Sequence, residues 1–241
     1  MVDMGHRLSR NEAPGETRGR VGRFAAGEEG EPHFIRDLLQ FLVERTTMRL
    51  VDAEFKAVNS RARQLLHRFV EFPLIKLLGL RGQDQDILEV GCGSGYGAVL
   101  LSRLHPRSYV GIDLMPEMIA LPKNRPGLTN AEFLVLDAAD MSVFPDGSKD
   151  VVVILDILHH IPEWRQVVKE CHRVLRVGGR LFLEEPSATA IRLWDAIFHW
   201  DHPRDALFGR RELEDHLREV GFAIRRRFPV LPFRMYCLEK R

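Results

Sequence analysis

Two carboxylates and a run of glycines form the most chemically suggestive pattern in this chain. The run Ile87-Leu88-Glu89-Val90-Gly91-Cys92-Gly93-Ser94-Gly95-Tyr96-Gly97 is followed, eighteen residues after Gly95, by Asp113. Glycines let a backbone approach a ligand where a Cβ atom would collide. A carboxylate at the end of the next strand can accept hydrogen bonds from two vicinal ribose hydroxyls, whereas it would repel a 2′-phosphate. The pattern predicts a site for an adenosine without a 2′-phosphate.

The spacing of the glycines argues against a dinucleotide. A dinucleotide-binding turn has the pattern G-x-G-x-x-G, whose third glycine would fall at Tyr96. Glu89 also stands two residues before the first glycine, where a buried carboxylate would disfavour a pyrophosphate and favour the α-ammonium of an amino acid. S-adenosyl-L-methionine contains an amino acid and an unphosphorylated ribose, so it would satisfy Glu89 and Asp113 together. We therefore expect it as the ligand.

The elements that would position these residues are alternating strands and helices. Such alternation implies parallel strands joined by crossovers. A helical pattern that starts near Trp164 is expected to end at Gly178-Gly179, and a last helix to end before Gly221. Residues 222–228 and 233–238 are predicted to be the closing strands. Apolar runs that predict the five earlier strands lie near Ile87, Tyr109, Phe133, Val152 and Leu181.

Bulk composition limits the classes of partner and location. The 241 residues include 35 Lys and Arg against 34 Asp and Glu, a net charge of +1, so we expect no nucleic-acid partner. The three cysteines Cys92, Cys171 and Cys237 form no C-x-x-C pair, which favours reduced thiols in a cytoplasmic protein. We expect no signal peptide and no integral membrane segment, because no stretch reaches roughly 18 consecutive apolar residues.

Five ordered segments resemble the class I S-adenosylmethionine-dependent methyltransferases, in particular the bacterial branch that includes quinone-biosynthesis C-methyltransferases and many small-molecule enzymes. The resemblance covers about residues 86–186, and Val177 stands where the family has proline. It implies a doubly wound, Rossmann-like α/β fold with a mostly parallel seven-stranded sheet, an antiparallel last strand and an N-terminal helical lid. The segments are Leu88–Gly95, Gly111–Leu114 with Met118 behind it, Leu136–Asp140, Val153–Ile161 and Val174–Leu181.

The same resemblance suggests a domain plan. Residues 1–31 are rich in Gly, Arg and Glu and are expected to be a flexible tail. Residues 32–82 would be the helical lid, with helical patterns at 34–42 and 51–72 and an interruption at Pro73. Residues 83–241 would be the methyltransferase domain, with an insertion at 188–208 between the fifth strand and the last helix.

The candidate cofactor-binding residues lie at the carboxyl ends of the predicted strands, where ligands of open α/β sheets bind. By resemblance, Asp137 accepts from the adenine amino group, the backbone of Ala138 meets a ring nitrogen, and Asp156 lies beneath the sulfonium. Alternatives are a loop cap for Asp137, a helix cap for Asp156 and simple packing for Cys92. The predicted set is Glu89, Gly91, Cys92, Gly93, Gly95, Asp113, Leu114, Met118, Asp137, Ala138, Leu155 and Asp156.

Methyl transfer from a sulfonium is an in-line displacement in which the protein mainly aligns the acceptor and excludes water. A base is needed if the acceptor must lose a proton, and His159, His160 and Glu185 are the candidates. Packing or hydrogen bonding is the alternative role for one imidazole. We expect no metal, because adjacent histidines diverge and no third ligand is spaced to join them. A metal site at His199-x-x-His202 with Asp201 and Asp205 is not expected either, because no further feature of the sequence supports it.

The acceptor is expected to be a small molecule, and a lipid or quinone is the first alternative. That alternative needs an apolar tunnel lined by Phe69, Phe72, Trp194 and Trp200. The aromatic insertion would either form a wall for the acceptor or pack against the N-terminal helices. Residues 65–80 suggest lid packing, with peripheral membrane contact as the alternative. A second alternative function is a non-catalytic module that binds S-adenosylmethionine.

Overall fold

The computed structural model describes residues 52–241, apart from 123, 124, 126, 127, 129, 201 and 231. The predicted tail at residues 1–31 and the predicted helix at 34–42 lie outside the described residues, as does the first part of the predicted lid. Within the described part of the chain, no helix is both long enough and apolar enough to cross a bilayer. The domain boundaries at residues 31 and 82 stay predictions.

Seven strands form one sheet in the order β3-β2-β1-β4-β5-β7-β6. Strands β1 to β5 pair in parallel, β7 runs antiparallel to β5, and β6 runs antiparallel to β7. The predicted mostly parallel sheet with an antiparallel last strand is therefore confirmed. The strands are β1 Asp86–Val90, β2 Ser108–Asp113, β3 Ala131–Val135, β4 Lys149–Leu155, β5 Leu175–Pro186, β6 Phe222–Val230 and β7 Phe233–Lys240.

Helices cover both faces of the sheet, because successive strand residues alternate between two apolar cores. Leu88 of β1 joins the core that holds Trp164 and Leu213, whereas its neighbour Ile87 joins the core that holds Leu78. The helices are α1 Asp52–Val58, α2 Arg61–Leu66, α3 Phe72–Leu78, α4 Tyr96–Ser102, α5 Pro116–Ala120, α6 Trp164–Val174, α7 Ala188–Phe198 and α8 Arg210–Val220, with a π-helical turn at His67–Glu71 and 3-10 turns at Leu158–His160 and Arg204–Ala206.

The strand order reverses next to β1, since β2 lies on one side of it and β4 on the other. At such a switch point the loops that leave adjacent strands diverge to opposite faces of the sheet and open a crevice between them. The glycine run follows β1, Asp113 ends β2, and Asp156 follows β4. The fold thus brings the ends of these three strands to one place.

Helix α6 ends earlier than the sequence suggested. Its last residue is Val174, and Leu175 already has extended backbone angles and pairs with Lys149 of β4. The next aligned pair is Val151 with Arg180, so residues 176–179 bulge from β5. The predicted end at Gly178-Gly179 is therefore wrong, because the glycines serve a strand bulge rather than a helix cap.

Pro73 does not interrupt the helical segment as expected. It occupies the first turn of α3, where a missing backbone N–H costs nothing. The preceding residues His67–Glu71 form a π-helical turn, which widens the backbone ahead of the proline ring. Helical structure therefore continues through residues 61–78, and Gly79 ends it with a φ of 114°.

Candidate functional site

A cavity opens at the carboxyl ends of β1, β2 and β4 and is bordered by α1 and α2. Eleven of the twelve predicted cofactor-binding residues line it, and Gly95 is the exception. The structure therefore brings together residues that are spread over about seventy positions of sequence. Their role in binding stays a prediction. The eleven are Glu89, Gly91, Cys92, Gly93, Asp113, Leu114, Met118, Asp137, Ala138, Leu155 and Asp156.

The glycine turn after β1 adopts a backbone that other residues avoid. Gly91, Gly93 and Gly95 have φ values of 71°, 49° and 72°. A Cβ atom on Gly93 would meet no atom within 4 Å, because this residue faces the open cavity. A Cβ atom on Gly95 would overlap Pro122. Gly93 thus exposes backbone to the cavity, while Gly95 allows the turn to pack against the protein.

Asp113 holds the glycine turn in place. Its Oδ2 atom accepts a hydrogen bond from the Gly93 amide at 3.0 Å, and its Oδ1 atom accepts one from the Met115 amide at 2.9 Å. Burial raises the pKa of Asp113, and the two amides oppose that rise. Each carboxylate oxygen can accept more than one hydrogen bond, so contacts to two ribose hydroxyls remain available.

Glu89 is a buried carboxylate at the cavity floor, with 4% of its surface exposed. It accepts a hydrogen bond from the Tyr109 hydroxyl, and it lies against Gly97 of α4, where any Cβ atom would overlap it. Burial raises the pKa of Glu89 to about 7, and the nearby Asp113 charge adds to that rise. A cationic ligand group would favour the ionised form of this carboxyl.

The predicted adenine side combines apolar and polar groups. Met118 is buried and Leu114 is 38% exposed, and both line the cavity. Asp137 also lines the cavity, but its Oδ1 atom accepts a hydrogen bond from the Ala139 amide at 2.8 Å. Asp137 therefore acts as the loop cap that the sequence offered as an alternative. Within the described residues, Asp137 Oδ2 accepts no comparable hydrogen bond, so it stays available for the predicted contact with adenine.

At the opposite end of the cavity, Asp156 does not cap a helix. It has a φ of 60° and pairs with Arg63 Nη2 at 3.1 Å. The following 3-10 turn begins after Ile157 and has no side-chain cap. The alternative of a helix cap for the segment at Pro162 is wrong, because Glu163 is the N-cap residue of α6 and Asp156 instead pairs with Arg63 of α2.

Sequence reasoning missed the contribution of the N-terminal helices to the cavity. Asn59, Arg63 and His67 line it, together with Val58 and Gln64. Arg63 and His67 lie four residues apart on one face of the helical segment, whereas Asn59 precedes its N-cap residue, Ser60. This periodic run of polar residues within an otherwise apolar pattern is the signal that could have identified them.

The three candidates for a general base differ in position. His160 lines the cavity, and burial with two neighbouring imidazoles lowers its pKa well below the ordinary value. His159 is buried, and its Nδ1 atom lies 2.8 Å from Glu185 Oε2. Glu185 Oε1 accepts hydrogen bonds from the amides of Ile157 and Leu158, so this carboxylate anchors the turn after β4. Of the three, His160 is the one placed to meet a ligand.

The aromatic insertion mostly packs within itself. The rings of Trp194 and Trp200 are 6.4 Å apart, Phe198 stacks on Trp200 at 5.2 Å, and Trp194 contacts Phe233 at 6.1 Å. None of these rings lines the cavity, whereas Pro203 does. Among the described residues, these aromatic rings therefore do not provide the acceptor wall that was one of the two alternatives for the insertion.

Comparisons with characterised proteins identify two bacterial relatives. A phthiotriol/phenolphthiotriol dimycocerosates methyltransferase from Mycobacterium leprae is 45% identical over 114 residues, which cover 46% of this chain and 42% of that protein. A 27-O-demethylrifamycin SV methyltransferase from Amycolatopsis mediterranei is 32% identical over 162 residues, which cover 61% of this chain and 57% of that protein. The chain thus spans about half the length of the curated relatives it matches.

A family model described as a methyltransferase domain matches residues 88–183. The fold is also similar to that of a SAM dependent methyltransferase from Aquifex aeolicus, with a TM-score of 0.63 and 20% sequence identity. That similarity covers 79% of this chain and 100% of the solved chain. S-adenosylmethionine is the methyl donor of this family. Residues 88–183 therefore match a methyltransferase domain, and the fold is similar to that of a solved methyltransferase, as the five sequence segments indicated.

Proposed function

We propose that this protein is a methyltransferase that binds S-adenosyl-L-methionine and transfers its methyl group to a small-molecule acceptor. The observation that carries the proposal is the convergence of Glu89, the Gly91–Gly95 turn and Asp113 at one cavity. The residues fit the ligand, because one carboxylate is available to an ammonium group, another to ribose hydroxyls, and the intervening turn exposes backbone at Gly93.

The residues of the chain have three tasks in this reaction. Glu89 would hold the amino-acid end of the ligand, and Asp113 would hold the ribose while it fixes the glycine turn. Leu155, Asp156 and Ile157 close the cavity at the end of β4. When bound, S-adenosylmethionine supplies a methyl group already activated by its positive sulfur. The protein therefore has mainly to align the acceptor and keep water away.

A small-molecule acceptor is favoured over a lipid acceptor by the surroundings of the predicted tunnel residues. Phe72 packs in the apolar core with Leu78, and Trp194 packs against Trp200. Phe69 is 64% exposed on the surface. These side chains do not line a common channel in the described structure. The mycobacterial relatives, which are named for phthiotriol dimycocerosates, support the lipid alternative.

A cytoplasmic location is part of the proposal. Its support is the state of the three cysteines, since Cys92, Cys171 and Cys237 are all buried and unpaired. Disulfides form chiefly in oxidising compartments, so free thiols at all three positions fit a reducing one.

Isothermal titration with S-adenosylmethionine tests the proposed function directly. We expect saturable binding of one ligand per chain, and competition by S-adenosylhomocysteine at the same site. A folded protein that gives no binding heat at high micromolar ligand would rule out both the enzyme and the non-catalytic binding module. Binding without methylation of any acceptor from a broad panel of small molecules and lipids would favour the binding module.

Substitution Asp113→Ala should weaken the binding of S-adenosylmethionine by about 1–3 kcal/mol, or roughly 5- to 150-fold. The substitution removes the acceptor for the ribose and also frees the Gly93 amide. Titration calorimetry measures the change. Asp140→Ala is the matched control, because Asp140 also accepts a backbone amide hydrogen bond, from Ser142, but does not line the cavity. Equal affinities for the Asp113→Ala variant and the parent protein would refute the ribose assignment.

The affinity for S-adenosylmethionine should rise with pH through neutrality. With a pKa of about 7 in the free protein, Glu89 is mostly protonated at pH 6 and mostly ionised at pH 8. Because the ammonium group of the ligand favours the ionised carboxyl, binding at pH 6 must also release a proton. We expect binding to be several-fold tighter at pH 8 than at pH 6, with about tenfold as the limit for a ligand whose ammonium group stays protonated.

Calorimetry in two buffers of different ionisation enthalpy would show the proton release at the lower pH. The Glu89→Gln variant provides the comparison, since it cannot ionise and should bind weakly with little dependence on pH. A parent protein whose affinity is the same at pH 6 and pH 8 contradicts the placement of the ammonium group at Glu89.

A further inference from the structure

Three histidines from two separate segments meet at the edge of the cavity. His159 and His160 belong to the 3-10 turn after β4, and His202 follows α7. One ring nitrogen from each lies within 4.8 Å of the others. The ring centroids are 4.2, 4.8 and 5.2 Å apart. His202 thus supplies a third imidazole that spacing along the sequence did not reveal.

Two of these three rings contact a carboxylate through Nδ1. Glu185 Oε2 lies 2.8 Å from His159 Nδ1, and Asp195 Oδ1 is hydrogen-bonded to His202 Nδ1. An ionised carboxylate can only accept, so each neutral ring must carry its hydrogen on Nδ1. In that tautomer Nε2 is the ring nitrogen without a hydrogen. Metal-binding histidines usually donate their other ring N–H to a carboxylate, a backbone carbonyl or water, which fixes the tautomer and the ring orientation.

We propose that His159, His160 and His202 bind a divalent transition-metal ion of the zinc type through three imidazole nitrogens. Zinc binds histidine nitrogen at about 2.0–2.1 Å in tetrahedral geometry, which requires ligand atoms roughly 3.3 Å apart. The nitrogens lie within 4.8 Å of one another, so binding would require side-chain rotations that shorten the longest separation by about 1.5 Å. Neither Glu185 nor Asp195 is needed as a direct ligand of the ion, since Glu185 already contacts His159 and Asp195 already contacts His202.

The position of the site suggests what the ion does. His160 lines the cavity, as does Pro203, the neighbour of His202. Three protein ligands leave a fourth position for water or for an oxygen of a substrate, as in catalytic zinc sites. The ion would therefore bind a hydroxyl-bearing or similar oxygen-bearing acceptor at the end of the cavity marked by Asp156. This assignment of the acceptor rests on the proposed function, whereas binding of the ion does not.

Metal titration of the full chain without a polyhistidine tag tests the site. The protein is stripped with a chelator, titrated with cobalt(II) and then with zinc(II), and analysed for metal by mass spectrometry. We expect one ion per chain, the visible absorption of four-coordinate cobalt, and loss of that absorption when zinc displaces it. His160→Ala and His202→Ala should each abolish the cobalt spectrum. His105→Asn is the control, because His105 is exposed and lies outside the cluster.

Asp195→Asn keeps all three imidazoles and should weaken zinc binding by about 10- to 100-fold. Circular dichroism would show whether a histidine substitution prevents folding. In that case the metal affinity of the Asp195→Asn variant still tests the site. Failure of the folded parent protein to bind cobalt or zinc in a one-to-one ratio overturns the proposal. Binding that is unaffected in His160→Ala, His202→Ala and Asp195→Asn overturns it as well. Titration of the metal-free protein with S-adenosylmethionine separates this result from the proposed function.

Discussion

Replacing Arg63 by methionine should lower the free energy of unfolding by about 3–5 kcal/mol, because it leaves buried carboxylates without their cation. Arg63 pairs with Glu71 and with Asp156, and its side chain is 13% exposed against 3% for Glu71 and 20% for Asp156. Methionine preserves much of the side-chain volume while it removes the charge. His67 also pairs with Glu71, at 2.7 Å. Glu71 therefore keeps this partner in the variant, whereas Asp156 loses its ion pair with Arg63. Urea denaturation measures the change.

The destabilisation should grow as pH rises. Glu184 interacts electrostatically with Arg63, Glu71 and Asp156, is 1% exposed and has no hydrogen-bond partner among the described residues on either carboxylate oxygen. Burial, together with the charges of Glu71 and Asp156, raises its pKa to about 9, and Arg63 opposes that rise. A carboxyl with a raised pKa in the folded state stabilises the fold while protonated and loses that contribution as pH climbs. Glu184 is therefore largely protonated at pH 5 and at pH 8, with or without Arg63, and does not set the pH dependence of the substitution. Despite burial, which opposes the shift, the pKa of Glu71 is lowered by His67 and Arg63, and the stability from that shift is present above the ordinary value of 4.5 and is lost as pH falls. Arg63→Met should therefore cost more stability at pH 7 than at pH 3.

Arg225→Met is the matched control for this substitution. Arg225 pairs with Glu239 at the protein surface, and its side chain is 51% exposed. Exposed ion pairs contribute about 1 kcal/mol or less, so this variant should remain close to the parent protein. Equal losses of stability in the two variants would show that Arg63 contributes no more than a surface charge.

The central fold was predictable because its strands are continuous apolar runs separated by helical periods. Such a run indicates a strand buried on both faces, and Ile87 and Leu88 do enter opposite cores. The resemblance, rather than periodicity, supplied the antiparallel last strand. Boundaries were less accurate where a glycine pair had two possible roles. Gly178-Gly179 suits either a helix end or a strand bulge, and only pairing with β4 decides between them.

The candidate site was predictable where it depends on strand ends and not where separate segments meet. Glu89 and Asp113 follow from the rule that parallel strands deliver their carboxyl ends to one edge. The contact of Arg63 with Asp156 joins residues 93 positions apart. His202 reaches His159 through the course of α7, which no spacing in the sequence describes. Such contacts depend on tertiary packing of the helices rather than on local pattern.

Substitution Gly97→Ala should reduce the affinity for S-adenosylmethionine by about 100-fold or more, a loss of roughly 3 kcal/mol. A Cβ atom at this position would overlap Oε1 of Glu89. Glu89 cannot simply move aside, because it is buried and hydrogen-bonded to Tyr109. The substitution therefore displaces the carboxylate that would hold the ammonium group. Titration calorimetry measures the affinity.

The stability of the Gly97→Ala variant separates this steric effect from helix propensity. In an open helix position alanine is about 1 kcal/mol more favourable than glycine, whereas an overpacked core loses about 1–3 kcal/mol. We expect a net loss in urea denaturation. Gly209→Ala is the control, since a Cβ atom there would meet no atom within 4 Å and its φ is −79°.

A double substitution tests the cause of both losses. Glu89→Ala removes the side chain that a methyl group at position 97 would overlap, so the pair Glu89→Ala and Gly97→Ala should recover the stability that Gly97→Ala loses. The pair should not recover the affinity for S-adenosylmethionine, because the carboxylate itself is absent. Recovery of stability without recovery of binding would assign Gly97 the task of making room for Glu89, and Glu89 the task of binding. If the pair recovers neither, the overlap with Glu89 is not what makes glycine necessary at position 97.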